Sequence, residues 1–285
     1  MRPLLEIISK GGGLSIQDGG RPGWRRFGVP VGGAMDRHSM IVANRLLGNR
    51  EDAPVLEICL QGARVRILED TWLALAGANL GCELKSGRAS RVSAGAVLHF
   101  GGLQAGLFAY LAVPGGIQSQ KWFCSASADP RNGLGVLLDK GMHLSSQQEA
   151  VSFSEEGVVG RLAMPEDRRV FEGPVELPLY KGPQYAAFSI AARSTLVGAT
   201  WTVSGRSDRT GFRLQGPKLE VPASIDSEPV LPGSFQIPGN GQPIVTMVDG
   251  PTVGGYAKLA ILPEAARDRL AQCAPGTQIS FRWLD

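Results

Sequence analysis

Two stretches of the chain concentrate side chains able to move protons or stabilise charge. In the second half, the apolar run Ile244–Val248 is followed at once by Asp249, then Gly250, Gly254 and Gly255, then Tyr256 and Lys258. A carboxylate at a strand's end, glycines that admit close backbone approach, and a phenol and an ammonium beyond them suit general acid–base work. The same residues equally suit a β-turn followed by a solvated lysine. Just upstream, Ser207, Asp208 and Arg209 sit in a polar run, Ser204–Phe212, after an apparent strand. That run is a ligand loop or a hairpin. No histidine lies near Ser207 in sequence, so a serine nucleophile does not follow. In the first half, Asp18 and Arg21 lie within Gln17–Asp36, where eight of twenty residues are glycine or proline, so ordering the loop needs polar contacts or a ligand. Arg21, Arg25 and Arg26 either pair with Asp18 and Asp36 or bind an anion. Gly19, Gly20, Gly32 and Gly33 can turn backbone N–H groups toward a ligand's carboxylate or amide. Asp36 is favoured as a helix cap over a catalytic group.

These residues need a β-rich scaffold. Thirty-eight glycines and nineteen prolines punctuate many short apolar runs, which points to a β-rich fold. Strands are predicted at Val55–Leu60, Val65–Leu68, Trp72–Ala76, Ala96–Phe100, Leu107–Val113, Thr200–Ser204, Ile244–Val248 and Gln278–Trp283. In the last, Ile279, Phe281 and Trp283 alternate with Gln278, Ser280 and Arg282. One helix runs from its Asp36 cap through Leu47 to a stop at Gly48, with Met40, Ala43, Leu46 and Leu47 as its apolar stripe. Asn44 lies on its Asp36 face, to bond a loop or a substrate, and Asn49 is a turn residue. A second helix opens at Pro263 and ends at Pro275-Gly276. Faint echoes occur in the same order twice: around Asp18 and Asp208, at Gly115-Gly116 and Gly254-Gly255, and at Gly141 and Gly276. They predict two related β-subdomains, residues 1–155 and 156–285, divided within the polar stretch Ser154–Gly173, with a site at their junction.

Composition removes other classes. A net charge of +3 argues against nucleic acid or an anionic membrane as the main partner. The four cysteines and three histidines share no ligand spacing, so neither a metal site nor a disulfide framework is signalled. Cys59 and Cys273 read as small buried hydrophobes. The start Met1–Glu6 reaches a charge too soon for a secretory leader, and no run spans a bilayer, so the cytoplasm is the expected location. Neither a Walker-type loop nor a dinucleotide fingerprint occurs.

Longer motifs carry a resemblance. Gln17-Asp18-x-Gly20-Arg21-x-Gly23, Gly28-Val29-Pro30, Gly33-Ala34-Met35-Asp36, Ala43-Asn44-x-Leu46-Leu47-Gly48-Asn49 and Leu56-Glu57 occur in the first half. Val203-Ser204-x-x-Ser207-Asp208-Arg209-x-Gly211-Phe212-Arg213-Leu214-x-Gly216-Pro217 and Ser227-Glu228-Pro229-Val230-x-Pro232-Gly233-Ser234-Phe235-Gln236-Ile237-Pro238 follow. Gly241-Gln242-Pro243-Ile244 and Asp249-x-x-Thr252-x-Gly254-Gly255-Tyr256-Ala257-Lys258 close the set. Together they resemble the biotin-dependent carboxyltransferase family, which includes allophanate hydrolase subunit 2, the C component of 5-oxoprolinase, the KipA regulator and the carboxyltransferase domain of urea carboxylase. The resemblance implies a mostly β fold of two cyclophilin-like β-barrel subdomains with a few short helices and a cleft between them. It implies an enzyme subunit in ATP-dependent work on a small amide: opening of 5-oxoproline to glutamate, or a related urea or allophanate carboxyl transfer. ATP acts at the level of the complex, biotin is a candidate cofactor, and the partner is a small cyclophilin-like subunit, of the type of KipI or the B component of 5-oxoprolinase. The alternative is a KipA-type regulator that sequesters that subunit. Within this reading, Asp249, Lys258 and Asp208 are the catalytic candidates, and Asp18, Arg21, Ser207, Arg209 and Tyr256 the substrate-binding ones; no metal ligand is expected. One departure stands out. After Ala112-Val113-x-Gly115-Gly116-Ile117, relatives carry a Gly-Ser-Arg-Ser-Thr run, whereas this chain reads Phe123-Cys124-Ser125-Ala126-Ser127-Ala128-Asp129-Pro130-Arg131-Asn132-Gly133. If the missing Arg and Thr contact substrate, its substrate or activity is altered.

Overall fold

The computed structural model describes residues 3–148, 160–171, 173–222 and 225–284. The chain forms two compact units, one of Met1–Arg21 with Gly32–Glu172, the other of Pro22–Val31 with Gly173–Asp285.

Unit 1 contains β1 (Pro3–Lys10), β2 (Leu14–Gln17), α1 (Arg37–Leu47), β3 (Val55–Cys59), β4 (Ala63–Ile67), β5 (Thr71–Asn79), β6 (Arg88–Val92), β7 (Val97–Phe100), β8 (Ala105–Ala112), β9 (His143–Ser145) and β10 (Gly160–Leu162). They build two sheets, in orders β7-β4-β1-β9 and β10-β6-β5-β8-β3-β2. Strand β4 shows why: Ala63, Val65 and Ile67 are buried while Arg64 and Arg66 are exposed, so one face must find an apolar partner. Ile7, Val65 and Phe100 of the first sheet meet Ile58, Leu75 and Leu111 of the second in one core. Helix α1 starts and stops as its sequence predicts. Asp36 caps it, Gly48 ends it at φ 71°, and Met40, Ala43, Leu46 and Leu47 are buried.

Unit 2 contains β11 (Val175–Lys181), α2 (Ile190–Gly198), β12 (Trp201–Val203), β13 (Gly211–Gln215), β14 (Glu228–Pro229), β15 (Ser234–Gln236), β16 (Ile244–Thr246), β17 (Val253–Gly254), β18 (Lys258–Ile261), α3 (Glu264–Ala271) and β19 (Gln278–Trp283). Seven strands close a barrel in the order β11-β18-β15-β16-β13-β12-β19. The parallel pairing of Val175–Leu179 with Ile279–Trp283 completes it, and β14 pairs with β17 apart from the barrel. Closure leaves no open edge among the seven strands. Phe235 and Phe281 meet edge to face at 5.0 Å inside, and buried Trp201 donates its indole N–H to the Leu196 carbonyl at 2.9 Å.

The mostly β expectation is met, with three α-helices among the described residues. Every strand read from the sequence is present. Helix α2 is missing from that reading. Its apolar pattern is weak because Ile190 faces solvent, and only the Ser189 cap signals it. Helix α3 stops at Ala271, short of the Pro275-Gly276 break. The echoed segments share local detail. Asp18 and Asp208 each accept the N–H two residues on, at 2.8 Å in both cases. Gly141 and Gly276, both at positive φ, each enter a strand through a backbone bond to Ile7 and Val203 respectively.

Candidate functional site

In unit 1 the glycine-rich loop is ordered by Asp18. Its buried carboxylate accepts the Gly20 N–H at 2.8 Å, the Ser125 and Ser127 hydroxyls at 2.6 Å each, and the Ala126 N–H at 2.7 Å. Four donors around one carboxylate solvate the buried charge in place of water. Arg21 is fully buried beside it and donates to the Ser127 carbonyl. A Cβ on Gly32 would lie 2.6 Å from the Arg21 Nη1, so only glycine lets the guanidinium pass. Ser125–Ser127 belong to the segment that departs from the family pattern. Here that segment is the anchor of Asp18. The turn before it, Trp122–Ser125, is closed by reciprocal backbone bonds of 2.8 and 3.1 Å, with Phe123 at φ 51° and Cys124 at φ 65°. Two non-glycine residues in the left-handed region store strain, which the packed serines beyond them must hold.

Next to this loop, Asp36 does what a cap does. It accepts the Ser39 N–H at 3.1 Å and the Ser39 hydroxyl at 2.6 Å. It also pairs with Arg169 at 3.3 Å. Its own N–H donates to the Tyr110 hydroxyl, which donates to Glu57. Burial, then the Glu57 and Asp36 carboxylates, push the Tyr110 phenol well above its usual range. Asn44 donates to the carbonyls of Glu51 and Ala53, and Asn49 ties the helix end to Val113 and Gly115. Both asparagines are loop clamps.

In unit 2, Arg209 grips Asp249 with two bonds, Nε to Oδ2 at 2.7 Å and Nη2 to Oδ1 at 3.1 Å. Asp249 also donates its backbone N–H to the Arg209 carbonyl. The pair is largely buried. Lys258 is buried on β18 and ion-pairs with Glu228, while Gln184 donates to the same Glu228 oxygen at 2.7 Å and accepts the Lys258 N–H at 3.0 Å. The hydrogen bonds from Lys258 and Gln184 hold the Glu228 carboxyl below its usual range. Since β14 pairs with β17, Glu228 faces Gly254, five residues past Asp249. Arg25, from the short N-terminal segment of this unit, donates to the Val230 carbonyl and, at 3.3 Å, to that of Pro251. Burial lowers its pKa. Around one stretch of backbone the fold thus sets two carboxylate-bound cations, with a third held by carbonyls.

The other sequence candidates sit at the surface of this unit. Asp208 orders its own turn through the Thr210 and Gly211 N–H groups at 2.8 and 3.1 Å. The Ser207 hydroxyl accepts the Arg213 N–H at 3.0 Å. Tyr256 is exposed. The sequence reading left out Glu228, Gln184, Ser125, Ser127 and Arg169. The signal for Glu228 was available: a lysine in an apolar strand needs a carboxylate, and Ser227-Glu228-Pro229 offers one. Cys82 and Cys273 have thiols pushed up to about 12 by burial, and Cys124 is exposed. Among the described residues no three His, Cys, Asp or Glu side chains gather as a metal ion requires, and no helix is long and apolar enough to cross a membrane.

Residues 27–283 match the family of the carboxyltransferase domain, subdomain A and B. The C component of 5-oxoprolinase from Escherichia coli (strain K12) is 36% identical over 291 residues, covering 98% of this chain and 90% of that protein. Among solved structures, TTHA0988 superposes with a TM-score of 0.89 at 32% identity over 98% of this chain, which spans 56% of that one. The urea carboxylase of Kluyveromyces lactis superposes with a TM-score of 0.90 at 26% identity over the whole chain, which spans 28% of that one.

Proposed function

The chain belongs to the carboxyltransferase domain family, subdomain A and B, and from that premise we propose that it is one subunit of an ATP-dependent amide-processing enzyme, corresponding to the C component of 5-oxoprolinase. The observation that carries the chemistry is buried Lys258, its ammonium paired with Glu228 and its backbone N–H held by Gln184, together with the Arg209–Asp249 pair on the same loop. Opening a lactam adds water across its C–N bond, and negative charge develops on the carbonyl oxygen. Fixed cations in a water-poor site stabilise that oxygen without reorganising. Lys258 and Arg209 take this role, with Arg25 and Tyr256 at the periphery for the substrate's own carboxylate and amide. Both Asp249 oxygens are engaged by Arg209, so Asp249 orients the guanidinium; a general base would have to give up that grip. Asp208 and Ser207 shape the loop that carries Arg209. Asp18 and Arg21 are scaffold for the first loop.

The donor set suits a carbonyl, a ureido group or a single carboxylate. A triphosphate fits poorly, because Lys258 and Arg209 are each neutralised by one carboxylate. We therefore place no nucleotide step on these residues. ATP is handled in the assembly, with a small cyclophilin-like partner subunit. If the substrate is a ureido compound such as carboxybiotin, the same two cations polarise its carbonyl.

The test is reconstitution. The chain alone and the chain with its partner subunits are assayed for ATP-dependent glutamate formation from 5-oxoproline, and for urea-dependent ATP hydrolysis with bicarbonate. Turnover only in the assembly is expected, on 5-oxoproline. Robust turnover by the chain alone overturns the subunit reading. Urea turnover moves the assignment to carboxyl transfer, and a stable complex inert on both substrates replaces it with the regulatory reading.

A further inference from the structure

In the unit 2 cluster, Lys258 is matched by Glu228 and Arg209 by Asp249. Arg25 has no carboxylate partner among the described residues. It opens the one-turn 3₁₀ helix Arg25–Phe27, which Gly28 closes at φ 81°. Its Nη2 donates to two carbonyls, that of Val230 and, at 3.3 Å, that of Pro251. Those carbonyls lie two residues past Glu228 and two past Asp249. The β14–β17 pairing and the Val230 N–H bond to the Thr252 carbonyl, at 3.0 Å, hold the two stretches side by side. Arg25 therefore stands where the segments carrying Glu228 and Asp249 meet.

The missing counter-charge is costly there. The side chain is half-buried, and Nη1 is closed off from solvent with nothing to donate to. Desolvation lowers the pKa of Arg25, and no carboxylate raises it in return. Peptide carbonyls satisfy hydrogen bonds but carry no net charge, so the positive charge stays uncompensated. Arg26, the next residue, is exposed and stacks on Phe27 at 4.8 Å, where water solvates it. A neutral ligand leaves the Arg25 charge as it is. One carboxylate cancels it. A second negative charge finds a cation only by breaking one of the two existing pairs.

We propose that Arg25 selects the substrate by charge: the amide on which this chain acts carries a single carboxylate, held at Arg25, and uncharged amides such as urea are discriminated against. The inference rests on the function proposed above and narrows its substrate class to a carboxylated amide.

The test uses the reconstituted assembly with wild-type, Arg25→Gln and Arg25→Lys chains. L-5-Oxoproline is the substrate, and L-5-oxoprolinamide, the same ring without the charge, is the competing ligand. Arg25→Gln should raise KM for 5-oxoproline at least about tenfold with kcat within about threefold, and leave the inhibition constant of the amide within about twofold. Arg25→Lys, which keeps the charge, should recover most of the loss. An unchanged KM in a folded Arg25→Gln assembly, a loss confined to kcat, acid and amide weakened together, or urea turned over as efficiently as 5-oxoproline each overturns the proposal. If Arg25→Gln does not fold, the wild type decides: the acid must bind at least about tenfold more tightly than the amide, and equal affinities overturn the proposal. A wild-type assembly inert on 5-oxoproline overturns the function proposed above. Equilibrium dialysis of labelled 5-oxoproline against that assembly then reads the site directly: binding lost in Arg25→Gln upholds the Arg25 assignment, and absent binding overturns it as well.

Discussion

Replacing Asp18 by asparagine distinguishes scaffold from substrate contact. The carboxylate accepts three donors on Oδ1 (Gly20 N–H and the Ser125 and Ser127 hydroxyls) and one on Oδ2, the Ala126 N–H. In Asp18→Asn the amide oxygen does best in the Oδ1 place, where it keeps three donors but loses the charge that strengthens them. The amide NH₂ then faces the Ala126 N–H, donor against donor, in a site closed to water. One lost charge-assisted bond and one stranded buried donor cost about 3 kcal/mol together, before any weakening of the remaining three. For a unit of this size that corresponds to a fall of roughly 6–12 °C in the melting temperature of unit 1. Thermal unfolding followed by circular dichroism, with the wild type alongside, reads the shift. Turnover of the reconstituted assembly well below the transition should keep its KM. A melting temperature within about 2 °C of wild type refutes the scaffold argument. Unchanged stability with a raised KM would assign Asp18 to substrate binding.

The remaining expectations follow from single contacts. Lys258→Met, which keeps the length of the stem and removes the charge, should lower kcat of the assembly by about 10²–10³ and leave the barrel folded; near-normal kcat removes Lys258 from the site. Glu228 has a folded pKa below its unfolded one, so its contribution to stability is present above the usual carboxylate range and is lost as pH falls through the lowered value. Acid unfolding curves of wild type and Glu228→Gln should thus diverge above about pH 4 and converge below it; parallel curves contradict the pair. Gly32→Ala places a Cβ 2.6 Å from Arg21 Nη1 at a positive φ, and should destabilise unit 1 by about 2–3 kcal/mol in urea unfolding. Iodoacetamide at about pH 8 should label the exposed Cys124 well before Cys82 or Cys273, whose thiols are pushed up to about 12, as peptide mass mapping would read.

Much of the fold is legible in the sequence because it depends on neighbours in the chain. The Asp36 cap, the Gly48 stop and the stripe of Met40, Ala43, Leu46 and Leu47 define α1 from three- and four-residue spacing alone. The alternation in Gln278–Trp283 defines β19 in the same way. The family motifs mark the loops that carry Asp18, Asp208 and Asp249, and the Asx turns at Asp18 and Asp208 close within two residues.

What the chain brings together from afar was set by tertiary structure. Asp18 finds Ser125 across 107 residues, and its own N–H finds Ser127 across 109. Nothing near Asp18 specifies those serines; the choice follows from excluding water around a buried carboxylate. Lys258 could be read as a solvated lysine until barrel closure buried its strand and left Glu228 as its counter-charge. The same holds for Asp249, whose sequence context suits a proton acceptor and whose structure gives both oxygens to Arg209. Residues 22–31 pack with the second unit because Arg25 reaches carbonyls of Val230 and Pro251, a contact no local rule encodes. Residue type and spacing fix backbone conformation through short-range sterics and caps. The partner of a charged side chain is fixed by desolvation, which exists only once the chain has closed around it.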